Sequence, residues 1–375
     1  MRPAVITFSI FLGVLGAVSV LPARAAEDEC RPGGCSLDLA VKNIGLSFGN
    51  SRRFNGLRLN LVDDGVEEMN GVNVTLWKPG RNPDAAMRGL MLGLVAINAA
   101  DLRGVSIGGL AVVGESCVEG ISIAGLASVA EGSMTGFSIA GLASVAEGNM
   151  AGISLAGLAS VTEKSMTGIS IAGLAAVAER SMTGISVAGL AAVAERNMTG
   201  ISVAGLAIAG EDEINGLAAS LGSIISDGDI NGVALGAVGL LGLRSSRSED
   251  DEGYSRSLDI SPSFTGIRAR NVRWLAIHGM DIRAEDSLLG MGISGIALRA
   301  DEIRGGAVAG IVVKTRDLGG VSISSVNYVD GPQIGVSIGI VNYARELRGF
   351  QLGLLNIAKN NPRGLRVLPV LNAHL

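Results

Sequence analysis

Aromatic side chains are scarce in this chain of 375 residues: two tryptophans, three tyrosines and seven phenylalanines, 3% of the total. So few cannot supply the two interfacial girdles of an outer-membrane barrel. Histidine is scarcer still, at two. Neither His278 nor His374 stands at a metal-ligand spacing or beside a serine in a nucleophile elbow. There is no P-loop and no paired-carboxylate motif. Gly-x-Gly sequences abound, but among 55 glycines they mean turns rather than phosphate cradles. No catalytic, cofactor-binding or metal-binding residue is assigned on this basis, and the chain reads as a non-enzyme. A net charge of −5 gives no electrostatic reason to expect a nucleic-acid partner. Of three cysteines, Cys30 and Cys35 flank Arg-Pro-Gly-Gly and are candidates for a small disulfide loop in an oxidising compartment. Cys117 is left over, in a column that elsewhere holds serine or asparagine.

Long apolar runs are few as well. Residues 1–25 read as a secretory signal: Arg2, an apolar run through Val20, then Ala23-Arg24-Ala25 as a small-x-small cleavage site. The run is short and ends at Pro22, which argues against a retained membrane helix. Cys30 follows Asp28-Glu29 rather than small residues, so no lipid anchor is expected. From Gly232 the sequence GVALGAVGLLGL carries no charge, but it is glycine-rich and falls short of the ~20 residues that a spanning helix needs.

What the chain has is a tandem repeat. Gly120, Gly136, Gly152, Gly168, Gly184 and Gly200 stand 16 residues apart without slippage, each opening a unit of the form GISIAGLASVAEGSMT. A fixed period of this length marks stacked units too small to bury an apolar face alone. Within each unit Ile121, Ile153, Ile169 and Ile185 fill one column, and a second aliphatic column follows two residues later with serine between them. That alternation at β-branched positions predicts strands whose aliphatic columns pack in the core. A second glycine column from Gly125 predicts a corner, Glu131 to Ser133 an exposed turn, and Met134 a return to the interior. Helices are excluded, since two glycines per unit destabilise a helix interior by about 1 kcal/mol each.

Two β arrangements can carry this period. In an up-and-down membrane barrel, successive turns lie on opposite sides of the membrane and should differ, giving a double period. The turns EGSMT, EGNMA, EKSMT, ERSMT and ERNMT are equivalent in every unit. The expected fold is therefore all-β, a parallel β-solenoid of 15–16-residue coils, with the outer-membrane β-barrel as the alternative. The expected organisation is a signal over 1–25, an N-terminal cap over 26–55, a repeat solenoid over 56–243, a charged loop or hinge over 244–262 (RSSRSEDDEGYSRS), and a C-terminal repeat segment over 263–375. Stacking places Glu131, Glu147 and Glu163 in one like-charge column, which is unfavourable when directly opposed. Trp77 and Trp274 fall outside the regular columns.

Towards the end the units change to GVSIGIVNYAREL from Gly335 and GFQLGLLNIAKNN from Gly349, with GLRVLPVLNAHL read as a further unit from Gly364. Gly349, Gln351, Gly353, Leu354, Asn356 and Ala358 follow the pattern G-x-Q-x-G-L-x-N-x-A. Here the chain resembles the glycine-rich surface-repeat proteins of bacteria. Asn342 and Asn356, with Asn327 and Asn372, are expected to form an amide ladder of the kind that reinforces stacked strands. The resemblance implies an exported protein of the cell surface, outer membrane or periplasm, and no catalytic activity. The expected function is that of a structural or interaction rod, adhesin-like or scaffold-like. Its partner is an unidentified envelope or surface component or another copy of itself, and membrane association is compatible with this reading. The small Ser and Ala columns are its expected contact face.

Overall fold

A computed structural model describes residues 36–41, 44–77, 79–80, 82–237, 242–250, 253–261 and 266–374. The signal sequence and the Cys30/Cys35 pair lie outside the described residues. Every regular element among the described residues is a strand. The chain divides into two compact units, one made of the residues up to Ala172 with Ser245–Asp259, the other of Gly173–Arg244 with Ile260–Leu375.

Both units are parallel β-solenoids, and one coil explains them. Met150–Ala156 runs through Gly152, the chain turns at Gly157-Leu158, and Ala159–Thr162 returns along a second sheet. The next copy lies on the first in perfect register, Gly152 on Gly168, Ile153 on Ile169 and Ser154 on Ser170. In the other unit Gly184 pairs with Gly200 and Ile185 with Ile201 in the same way. Neighbouring copies thus run in the same direction, which is the solenoid's arrangement and not that of an up-and-down barrel. The leading glycines carry the bend. Gly152 has φ +118° and Gly168 φ +113°, a region that L side chains rarely adopt.

The phase of the strands is the reverse of the sequence expectation. Serine points inwards and isoleucine outwards: Ser122 is 1% exposed and Ile121 41%. The reason is the size of the coil. Two short strands leave room between their sheets for little beyond Ser and Ala, so Ser122 Oγ meets Ser128 Oγ at 2.7 Å across the interior, and Ser138 meets Ser144 at 3.0 Å. Met134, Met150 and Met166 fill the wider end near the turn. A strand's alternation fixes two faces but not which one is buried, and here volume decides.

The serine pairing fails at Ser170 and Ser186, which face Ala176 and Ala192. Ser186 Oγ is buried without a partner, and the position that holds Ser128 or Ser144 in other coils is Ala192. An Ala192→Ser substitution is expected to supply the missing partner and stabilise the unit by about 1 kcal/mol, the net worth of a buried hydrogen bond. A rise in the thermal midpoint would report it, and an unchanged or lower midpoint would reject the pairing argument.

Both ends are closed by strands that break the parallel pattern. Ser36–Val41 lies antiparallel on Ile44–Gly49, whose Gly45 then stacks in parallel on Gly56. Val367–His374 lies antiparallel on the end of Val341–Ala358. The segment from Gly364 is therefore a cap rather than a further coil. Gly364 has neither the positive φ of a leading glycine nor a preceding carbonyl beside it. Reversing direction denies an incoming coil the register it would need to add on. The polar segment expected as a loop over 244–262 holds two paired strands, Gly242–Asp250 and Gly253–Ser261.

Candidate functional site

Where serine and alanine fill the interior of the regular coils, the aliphatic residues that alternate with them face outwards. Counting from the leading glycine of a regular coil, the first and third residues point out from one sheet, the sixth sits at the corner, and the ninth lies on the second sheet, where the second unit buries Ala209 and Ile225 and then exposes Arg283, Arg299 and Lys314. In the first unit these are Ile121, Ile123, Leu126 and Val129, all half-buried or exposed. Ile153 and Ile185 are 37% and 40% exposed, and Ile169 is half-buried. At the corner of the second unit the exposure is greatest, 56% for Ile311, 53% for Ile340 and 74% for Leu354. The eight residues after the glycine carry no charged side chain in the coils opening from Gly89 to Gly152, at Gly184, Gly200 and Gly216, and from Gly290 to Gly349. The apolar surface of each unit thus lies on the first sheet and the corner.

The charged edge is the turn side. Arg103 pairs with Glu119 at 3.4 Å, Arg268 with Glu285 at 2.7 Å, Arg273 with Asp229 at 3.2 Å and Arg345 with Asp330 at 3.4 Å. Such exposed pairs contribute ~0–1 kcal/mol each, so their role is to mark the wet side. On that side burial, then Glu163 and Glu131, push the Glu147 carboxyl above its ordinary range. Cys117 donates to Asp101 at 3.1 Å, and burial followed by this carboxylate pushes the thiol up, away from the reactive thiolate. Among the described residues no group of three or more His, Cys, Asp or Glu is placed to hold a metal ion.

Inside the second unit the small residues give way to amides. Asn327 Nδ2 donates to Asn342 Oδ1 at 2.8 Å, and Asn342 Nδ2 to Asn356 Oδ1 at 2.7 Å, all three fully buried. Asn372, on the antiparallel cap, donates instead to the Asn356 carbonyl at 3.3 Å. Gln351 joins Gln333 at 3.1 Å in a second pair. His278 is also interior. Its Nδ1 accepts from the Met280 amide and its Nε2 donates to the Gly222 carbonyl, a neutral ring whose pKa burial lowers.

Phe137 and Phe350 stand in the first outward column, with Trp274 beside it and Tyr328 and Tyr343 across the corner. Trp274 stands in the glycine column, between Gly232 and Gly290 in the ladder, with φ 93° and its side chain 76% exposed. A bulky residue in that backbone region stores about 1–3 kcal/mol of strain. Its neighbour on the charged side is Arg273 and on the apolar side Leu275. At the opposite border Tyr328 and Tyr343 stack at 4.8 Å, with Lys314 Nζ 6.0 Å from the Tyr328 ring centroid and Lys359 Nζ 5.4 Å from that of Tyr343. The sequence put Trp274 outside the columns, because a glycine was expected at the place it fills. The signal that would have found it is the apolar–small–apolar triplet Leu275-Ala276-Ile277 that follows.

No protein-family model matches the chain, and no curated protein or solved structure is significantly similar to it.

Proposed function

We propose that this is a non-enzymatic, exported surface-repeat protein that works as a structural or interaction scaffold of the bacterial envelope, through its charge-free aliphatic edge. The observation that carries the reading is the phase of the first sheet: Ser, Ala and Asn point inwards there, and Ile, Leu and Val alternate with them on the outside. Monomeric soluble proteins rarely expose a contiguous apolar patch above roughly 300–600 Å², and larger ones mark interaction sites. Half-exposed isoleucine and leucine recur coil after coil in each unit. The leader-like residues 1–25 and the terminal G-x-Q-x-G-L-x-N-x-A units support export.

The test is fractionation of a bacterium with two membranes that expresses the full chain. The mature protein is expected to begin near Ala26 and to sediment with the envelope. A triple variant, Ile311→Lys with Ile340→Lys and Leu354→Lys, is expected to be exported equally but released into the soluble fraction. An uncleaved cytosolic chain, or a triple variant retained as well as the parent, would count against the reading.

A further inference from the structure

We propose that the second sheet of the unit formed by Gly173–Arg244 and Ile260–Leu375 binds a linear acidic polysaccharide, a chain of uronic acids, along its outward column of Arg283, Arg299 and Lys314. The inference goes beyond the aliphatic edge, which lies on the first sheet and the corner and shares no side chain with this column.

Register builds the column. Arg283 pairs with Arg299 in the ladder and Arg299 with Lys314, so three exposed cations stand one strand spacing apart, about 4.8 Å. Like charges directly opposite one another destabilise a sheet. On the turn side of the column the register shifts, between Arg283 and Ser287 and between Thr315 and Leu318. An open cleft of about 730 Å³ lies here, lined by the three cations and by Ala284, Ala300 and Thr315. Carboxylates line it too, but each is already held. Arg268 pairs with Glu285 at 2.7 Å, Arg316 with Asp301 at 3.7 Å and Arg345 with Asp330 at 3.4 Å. Among the described residues Arg283, Arg299 and Lys314 form no ion pair. What the pairing leaves over is positive.

Past Lys314 the same column continues as Tyr328 and Tyr343, whose rings stack at 4.8 Å and 6°. Lys314 lies over the first ring at 6.0 Å and Lys359 over the second at 5.4 Å. Both faces of each ring are therefore covered, and only the edges and hydroxyls are open to a ligand.

Charge, spacing and rings together choose the occupant. Guanidinium forks match carboxylates two hydrogen bonds at a time. An extended chain of uronic acids carries one carboxylate per sugar, and its sugars repeat at close to the strand spacing. Duplex DNA carries one charge per about 1.7 Å, far denser than this column. A single strand is gripped by stacking its bases on open aromatic faces, and the two rings here have none to spare. Their hydroxyls, in line with the cations, suit the hydroxyls of a sugar.

The experiment uses the full chain and immobilised polygalacturonate, with dextran as the neutral polymer, read by biolayer interferometry. The parent is expected to bind polygalacturonate and not dextran. Binding should weaken as salt rises from about 0.05 M to about 0.5 M, where the screening length is about threefold shorter. An Arg283→Gln, Arg299→Gln, Lys314→Gln variant should bind at least about tenfold more weakly, since losing one charge-assisted contact suffices for that. All three side chains are exposed and repel one another, so the thermal midpoint of the variant should equal or exceed that of the parent. If it melts lower, Arg299→Gln alone removes the central charge and should weaken binding by about threefold or more. Arg304→Gln, at an exposed arginine held by Glu302 outside the column, should bind as the parent does.

Equal binding by parent and column variants, retention on dextran as strong as on polygalacturonate, or indifference to salt would each overturn the proposal. So would an Arg304→Gln chain that loses as much as the triple variant. Tighter binding of single-stranded DNA or of polyglutamate than of polygalacturonate would overturn it by assigning the column to a nucleic acid or an acidic peptide. A parent that binds none of these polymers would overturn it as well, and would leave the reading of the aliphatic edge untouched.

Discussion

Alanine at Gly152 is expected to destabilise the first unit by about 4 kcal/mol or more. An added Cβ would stand 2.1 Å from the Gly136 carbonyl oxygen and 2.9 Å from its carbon, and φ at Gly152 is +118°. The obstacle is backbone, not the flexible end of a side chain, and that backbone is held in register by the coil before it. Relief by rotating Gly152 would displace its own carbonyl, which lies 2.1 Å from where a Cβ on Gly168 would sit. The strain of positive φ contributes about 1–3 kcal/mol, and each ladder hydrogen bond lost adds ~0.5–1.5 kcal/mol. Gly306→Ala is the control. Its φ is ordinary and no atom lies closer than 3.5 Å, so its effect should stay within about ±0.5 kcal/mol. Urea unfolding followed by far-UV circular dichroism measures both. Because each coil contacts only its neighbours, the Gly152 variant should also open locally and be cut by protease near that coil. A Gly152→Ala protein as resistant as the parent would mean that the stack tolerates a Cβ at its closest backbone approach.

The same column shows what could be read from the residues and what could not. A strict period with equivalent turns was enough for parallel coils, because direction follows from whether alternate turns differ. The phase was not legible. Ile-Ser-Ile alternates whichever face is buried, and the usual preference for aliphatic cores pointed the wrong way. What overrides it is the width of a coil built from so few residues, a property of the closed turn rather than of the alternation. Other coils contained a clue. At the second position after the glycine the chain places Asn73, Ser106, Ser122, Ser337 and Gln351, all polar and all buried, with Met91 as an exception. Aliphatic residues would be expected there if that column were the ordinary core of the stack. Trp274 and Gly364 misled in opposite senses, one occupying a glycine position without glycine, the other a glycine without its position. The apolar edge followed once the phase was known, and the Asn342–Asn356 ladder was readable from spacing alone.

The second large effect is expected where that inward column holds a charge. Arg58 is fully buried, two residues after Gly56, and stacks on Asn73. Its Nη1 donates to the Ser51 carbonyl at 2.6 Å, its Nε to Asn73 Oδ1 at 3.1 Å, and its Nη2 faces Asp63 Oδ1. Burial pulls the guanidinium down to about 10, with Asp38 acting in the opposite direction, so it stays charged at neutral pH and needs a counter-charge. Asp63 supplies one, and also accepts from Asn60 at 2.8 Å, Asn73 at 2.7 Å and Thr75 at 2.9 Å. Asp63→Ala removes the acceptor for all four donors at once. Breaking a buried pair from one side typically destabilises by about 3–5 kcal/mol, because the surviving charge is left without a partner. The first unit should therefore melt far below the parent. An Arg58→Met, Asp63→Asn double variant should recover most of the loss, since it removes the buried charge and keeps an acceptor for Asn73 and Thr75. If the double variant is as unstable as Asp63→Ala, the loss lies in the hydrogen-bonded loop around Asp63 rather than in the unpaired guanidinium.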